Sequence, residues 1–184
     1  MTAVQRIRVP TGMAFALVFL IFSRPRMDLF LVGLGLALAG LGIRIWAAGH
    51  IEKGSQLAAC GPYQWTRNPL YLGSFLIGLG FSLAAAKVWL VVLFLVLFFA
   101  LYVPVMRREE GELEQTFGSE YKAYRRQVPL FLPRLSVGNP TEDSTLATAA
   151  RNFQWRLVII NREYNAVVGF VMIALILWAK MLWI

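Results

Sequence analysis

The chain has 184 residues, 58% of them apolar, and a mean hydropathy of +0.61, above the ~45–50% apolar content usual for soluble domains, so its surface is suited to lipid. Its 18 Lys+Arg against 10 Asp+Glu give a formal charge of +8, but the basic residues lie in loops between apolar runs, which is a membrane-orientation pattern and not a nucleic-acid face. The lone Cys60 excludes an intrachain disulfide and a multi-cysteine metal site, and with His50 the only histidine no metal centre is expected.

The predicted fold is all-α: a single domain over 1–184, built as a polytopic membrane helix bundle of about five transmembrane helices. Its motif region is 44–134, and 135–184 form a connector and the last helix. The first apolar run, 11–22, is shorter than the ~20 residues of a perpendicular span, so it crosses only if the helix continues through its polar flanks. It ends in "SRPR" and not at a small-residue cleavage site, so it does not read as a removable signal. Runs 29–49, 70–86, 88–105 and 166–184 are each long enough to cross with modest tilt. Lys87 alone separates the third and fourth spans, which predicts a tight antiparallel hairpin. With the N-terminus inside, the cytoplasmic segments hold thirteen basic residues and the outer ones four, Arg44 lying within a span. This predicts an integral membrane protein with N-terminus cytoplasmic and C-terminus outside.

After the fourth span, "MRREEGELEQTFGSEYKAYRRQV" places Met106, Leu113, Phe117, Tyr121, Tyr124 and Val128 on one helical stripe, which reads as an interfacial helix lying on the bilayer. Gly118 in "FG" marks a possible break. Residues 132–150 read as a loose connector, and "NREY", 161–164, meets the last span at the cytoplasmic surface.

Polar groups at membrane depth need a partner or a purpose. Arg44, near the cytoplasmic end of the second span, is expected to snorkel to the interface, and His50 sits at the mouth of the same span. Glu109 and Glu110 leave the fourth span directly after Arg107 and Arg108. They either pair locally on a solvated helix or face an ammonium or sulfonium cation. Arg67 makes the complementary offer to a carboxylate through its fork of N–H groups. The Asn68-Pro69 step holds Asn68 extended and starts the third span at Pro69, leaving free N–H groups for an anion. Gly61-Pro62 turns the chain ahead of it, and Tyr63, Trp65 and Tyr71 either form an aromatic belt or wall a pocket for a flat heterocycle. No phosphate loop, nucleophile elbow or HExxH is present in the sequence.

Taken together, "GPYQWTRNPLYLG" and "RREEGELEQTFGSEYKAYRRQVPLFLP" resemble the integral-membrane methyltransferase family that includes isoprenylcysteine carboxyl methyltransferases and phosphatidylethanolamine N-methyltransferases. The resemblance covers roughly 44–134. It implies S-adenosylmethionine as methyl donor, bound at a cytoplasmic pocket formed by the 50–69 loop and the 106–134 segment, and a lipophilic small molecule or lipid as acceptor. On these positions it places Tyr63, Arg67, Asn68, Pro69 and Tyr71 along one wall, Gln56 and Leu57 in the strip near the adenosine, and Glu109 and Glu110 at the amino end of the cofactor, with His50 also among the cofactor-binding residues. Two positions depart from the family pattern. Asn68 stands where His is usual, losing titration near neutral pH, and Val105 stands where the prenylcysteine enzymes carry an Arg that orients the substrate carboxylate. Arg107 or Arg162 is the candidate replacement, and Glu110 or His50 the candidate base. The competing readings are an NADPH-dependent membrane reductase of the sterol C-14 type and a non-catalytic membrane scaffold.

Overall fold

The computed structural model describes residues 3–52, 56–134 and 152–183, so most of the expected 132–150 connector lies outside the described residues. Every regular element described is helical: α1 (Ala3–Phe22), α2 (Met27–Ala48), a 3₁₀ turn (Gly61–Gln64), α3 (Pro69–Ala84), α4 (Val88–Gln127), α5 (Trp155–Ile160) and α6 (Tyr164–Trp183). Helices α2, α4 and α6 are long and apolar enough to cross a bilayer, while the apolar stretches Pro10–Phe22 of α1 and Pro69–Ala84 of α3 are shorter. The first run does continue through its polar flank. Helix α1 carries on across Pro10 to a full 20 residues, about 30 Å of helix at 1.5 Å per residue.

Helices α2 and α3 are packed backbone to backbone, because small residues recur on their facing stripes. A Cβ added at Gly40 would lie 2.6 Å from the Gly73 carbonyl oxygen and 2.8 Å from the Ile77 nitrogen, and one at Gly80 would lie 2.7 Å from the Ala37 nitrogen. Phe19, Phe30, Phe81, Leu90, Phe170 and Leu177 fill the remaining core, and Phe81 meets Phe170 with ring centroids 5.2 Å apart. Leu17, Val32, Val96, Val171 and Leu175 face outward, as a lipid-facing surface requires. At one end of the bundle Lys180 donates to the Leu20 carbonyl at 2.6 Å and to Ser23 Oγ at 3.0 Å, and the Arg24 amide donates to the Ala85 carbonyl at 3.0 Å. The predicted α3–α4 hairpin is present, with Ala86 taking a left-handed φ of 54° in the short turn.

Two expectations are corrected. The interfacial helix after the fourth span is not a separate element: α4 runs unbroken out of the apolar stretch, and its helical dihedrals fail only at Gly118 (φ 53°, ψ −120°). Its charged continuation, "RREEGELEQ", is rich in strong helix formers, so the helix has no reason to stop where the apolar run stops. The break comes at "FG", and past it Tyr121, Tyr124 and Val128 fold back against Leu57, while Leu113 stays exposed. Arg44 does not snorkel either. Its Nε and Nη2 donate to the two carboxylate oxygens of Glu163 at 2.9 and 2.8 Å, and its Nη1 donates to Ser74 Oγ and, at 3.3 Å, to the Leu70 carbonyl. A buried acid on the turn before α6 gives the guanidinium a better partner than the headgroup region does.

Candidate functional site

The site is assembled where the loop between α2 and α3 is held down by the chain that returns from Gly118. Backbone carbonyls accept throughout this contact, from amide and side-chain donors alike. The Arg67 amide donates to the Pro129 carbonyl at 2.9 Å, and the Arg134 amide to the Trp65 carbonyl at 2.9 Å. Thr66 Oγ1 donates to the Phe131 carbonyl at 2.9 Å, and the Asn68 side-chain amide to the Leu130 carbonyl at 2.9 Å. From the returning segment the Tyr124 hydroxyl donates to the Tyr63 carbonyl at 2.7 Å. The 50–69 and 106–134 segments are therefore packed together. Asn68 is less extended than its place before proline predicts (φ −127°, ψ 58°), and its side chain is committed to Leu130.

Into this corner the loop ahead of α3 and the helix α4 bring charges of opposite sign. Arg67 Nη1 pairs with Glu110 Oε1, the two side chains being 10% and 18% exposed, and the same nitrogen lies 3.4 Å from the Tyr121 hydroxyl. The Tyr71 hydroxyl donates to Glu109 Oε1 at 2.7 Å. The acids thus turn inward, while Arg107 is exposed and Arg108 pairs along the helix with Glu112 at 2.8 Å. Two buried donors in the same neighbourhood, Arg67 Nε and the Tyr63 hydroxyl, have no hydrogen-bond partner among the described residues. An unpaired buried polar group costs about 1–3 kcal/mol, so each has a use for a polar atom brought in from outside. Burial pushes the Tyr63 phenol well above its usual pKa, and Glu163 adds to the effect, so Tyr63 is a neutral donor.

Of the sequence candidates, Tyr63, Arg67, Asn68, Pro69, Tyr71, Glu109 and Glu110 share this corner. Pro69 is buried at the first position of α3. Leu57 is buried in the cluster formed with Tyr121, Tyr124 and Val128, and Gln56 is exposed. His50 is buried at the end of α2, with Nδ1 2.8 Å from the Trp46 carbonyl oxygen and its ring against Phe153 and Gly61. Arg162 is exposed, with a left-handed φ of 57°, on the turn between α5 and α6. Glu163 went unnoticed in the sequence. Its signal was an unexplained Arg within one span and an acid at the mouth of another.

The sequence profile of the phospholipid methyltransferase family matches residues 27–120. The chain is 33% identical over 126 residues to the nickel-cobalt-cadmium resistance protein NccN of Alcaligenes xylosoxydans xylosoxydans, covering 67% of this chain and 57% of the relative. It is 36% identical over 135 residues to the cobalt-zinc-cadmium resistance protein CzcN of Cupriavidus metallidurans, covering 67% and 61%. Against the protein-S-isoprenylcysteine O-methyltransferase of Saccharomyces cerevisiae it is 30% identical over 82 residues, covering 45% and 34%. The chain therefore spans about three-fifths of the length of the two resistance proteins. No solved structure matches it. With the profile covering more than half of the sequence, and with the helices and inward-turned acids described above, the chain belongs to the phospholipid methyltransferase family of integral membrane methyltransferases.

Proposed function

We propose that the protein transfers a methyl group from S-adenosylmethionine to a lipophilic acceptor at the cytoplasmic face of the membrane. The observation that carries this reading is the meeting of Arg67, Glu110, Glu109 and Tyr71 at one end of an apolar bundle. A ligand bearing both a carboxylate and an ammonium matches that pairing of charges. The fit extends to the unsatisfied donors: Arg67 uses Nη1 on Glu110 and Tyr121 and has a buried Nε to spare, and the Tyr63 hydroxyl is unspent.

When bound, S-adenosylmethionine supplies an electrophilic methyl group on a sulfonium whose leaving group is already activated, so the protein's task is positioning and exclusion of water. Arg67 holds the carboxylate, Glu109 and Glu110 hold the ammonium, and Tyr71 fixes the Glu109 carboxylate by its hydrogen bond. The returning segment 119–134 covers the loop from the water side. The acceptor comes from the lipid side, between helices. Among the described residues no three His, Cys, Asp or Glu side chains come together to hold an ion.

The test is a titration of the full chain in detergent with S-adenosylhomocysteine, read as a shift in unfolding temperature. Saturable protection that weakens at least tenfold in Arg67→Ala and in Glu110→Ala is expected. Protection by NADPH alone would turn the reading to a reductase, and protection by neither to a scaffold. Labelled methyl from the donor should appear in total membrane lipid, and label confined to water-soluble products would reject the lipophilic acceptor.

A further inference from the structure

Beside the end of α2 lies a concavity lined mainly by residues C-terminal to the segment matched by the family profile. It is a cleft of about 650 Å³ lined by Ile51, Glu52, Gln154, Arg156, Asn161 and Arg162, with Leu157 and Ile160 at its apolar edge. Its floor is fixed, because the Asn161 side-chain amide donates to the Ala48 carbonyl at 3.0 Å and to the Ile51 carbonyl at 3.1 Å, and the Gln154 amide donates to the Gly49 carbonyl at 3.0 Å.

Three observations bear on what the cleft takes. First, two guanidiniums, Arg156 and Arg162, line it and make no hydrogen bond or ion pair with any described residue. Glu52, also on the wall, does have a partner. Second, Arg162 holds its place in a left-handed conformation (φ 57°) that costs a non-glycine residue backbone energy. Third, the short helix carrying Arg156 exposes Trp155, Ile159 and Ile160, and Tyr164 is exposed at the start of α6. Large apolar and amphipathic rings at the mouth of a span belong at the headgroup level of a bilayer. Two free guanidiniums, a polar floor and an apolar rim at that depth suit a phosphate ester that carries acyl chains, since the planar fork of Arg matches phosphate oxygens and the rim takes the start of the chains.

We propose that this cleft binds the headgroup phosphate of a membrane phospholipid, with Arg156 and Arg162 as the phosphate ligands. The site is independent of the methyl-transfer reading, and its test does not use activity. The full chain, purified in a neutral detergent, is titrated with phosphatidylglycerol and with diacylglycerol of the same chains, and bound lipid is counted by native mass spectrometry. Phosphatidylglycerol should bind at least tenfold more tightly than diacylglycerol, and Arg156→Gln should weaken it several-fold. Arg162→Gly separates binding from folding: it relieves the left-handed backbone, so its unfolding temperature should stay level or rise while lipid affinity falls. Equal binding of diacylglycerol would overturn the proposal, as would unchanged lipid binding in the Arg156→Gln, Arg162→Gly double variant. Displacement of the lipid by inorganic phosphate at comparable concentration would also overturn it, by assigning the cleft to a free anion.

Discussion

Replacing Glu163 by Gln keeps the shape of the side chain and removes its charge, so it isolates what the ion pair with Arg44 contributes. The two side chains are 22% and 6% exposed, which makes the carboxylate a buried group and the guanidinium a partly wetted one. Leaving a buried charge unpaired costs about 3–5 kcal/mol. Here Arg44 keeps its hydrogen bonds to Ser74 and to the Leu70 carbonyl and has some water, so the cost falls below that range, at about 2–3 kcal/mol. The assay is a double-mutant cycle in detergent with Glu163→Gln, Arg44→Met and the double variant, read from unfolding midpoints. The coupling should exceed ~1 kcal/mol, as contacting charged pairs usually do, and the double variant should be more stable than Glu163→Gln. A loss below ~0.5 kcal/mol in Glu163→Gln, or additive effects, would mean that α6 is held to α2 by packing alone and that Arg44 reaches water after all.

Three further outcomes follow from the geometry. Gly118→Ala should destabilise by about 1–3 kcal/mol, because φ 53° with ψ −120° is closed to an L side chain although nothing crowds the Cβ. Gly111→Ala, in regular helix with open space around it, should stabilise by about 0.5–1 kcal/mol, and unfolding midpoints compare the two. Gly40→Ala places a methyl against the Gly73 carbonyl and should cost about 1–3 kcal/mol by forcing α2 from α3, whereas Gly35→Ala, with no atom near its Cβ, should leave the unfolding midpoint nearly unchanged. Tyr63→Phe removes an unsatisfied buried hydroxyl and should leave the free protein as stable or more so, while weakening S-adenosylhomocysteine binding in the same thermal titration. Since the folded Tyr63 pKa is raised above the ordinary tyrosine value of 10.0, its contribution to stability is intact below pH 10 and is lost as pH rises above it. Unfolding midpoints between pH 9 and 11 should therefore fall less steeply in Tyr63→Phe than in the parent.

The spans were legible because hydropathy is a property of one segment at a time, and the break at Gly118 was legible because glycine after an aromatic helix turn has few other uses. What hydropathy does not report is where a helix ends. The apolar run of α4 stops near Val105, but "RREEGELEQ" favours helix as strongly as the residues before it, so span and helix end at different places. The Arg67–Glu110 complementarity could be anticipated from charge alone. The clamp on the loop could not, since the carbonyls of Pro129, Leu130 and Phe131 accept from Arg67, Thr66 and Asn68, and a backbone acceptor has no signature in side-chain identity. The partner of Arg44 was hidden for another reason: it lies 119 residues away, and with several acids in the chain nothing local selects Glu163.

The contact between Tyr71 and Glu109 shows how helix direction finishes what hairpin length leaves open. Counting from the α3–α4 turn at 1.5 Å per residue, Tyr71 stands about 20 Å up α3 and Glu109 about 31 Å up α4, a mismatch of about 10 Å between antiparallel neighbours. Side chains on a helix lean toward its N-terminus. The N-terminus of α3 lies at the loop end and that of α4 at the opposite end, so Tyr71 leans up and Glu109 leans down. Leaning toward each other, the two side chains narrow that offset, and the hydroxyl and carboxylate meet in a 2.7 Å hydrogen bond. The acids therefore have to sit well beyond the level of Pro69 for the site to close, and this is why α4 must stay helical past its apolar run. Its charged extension is the arm that lowers Glu109 and Glu110 onto the loop.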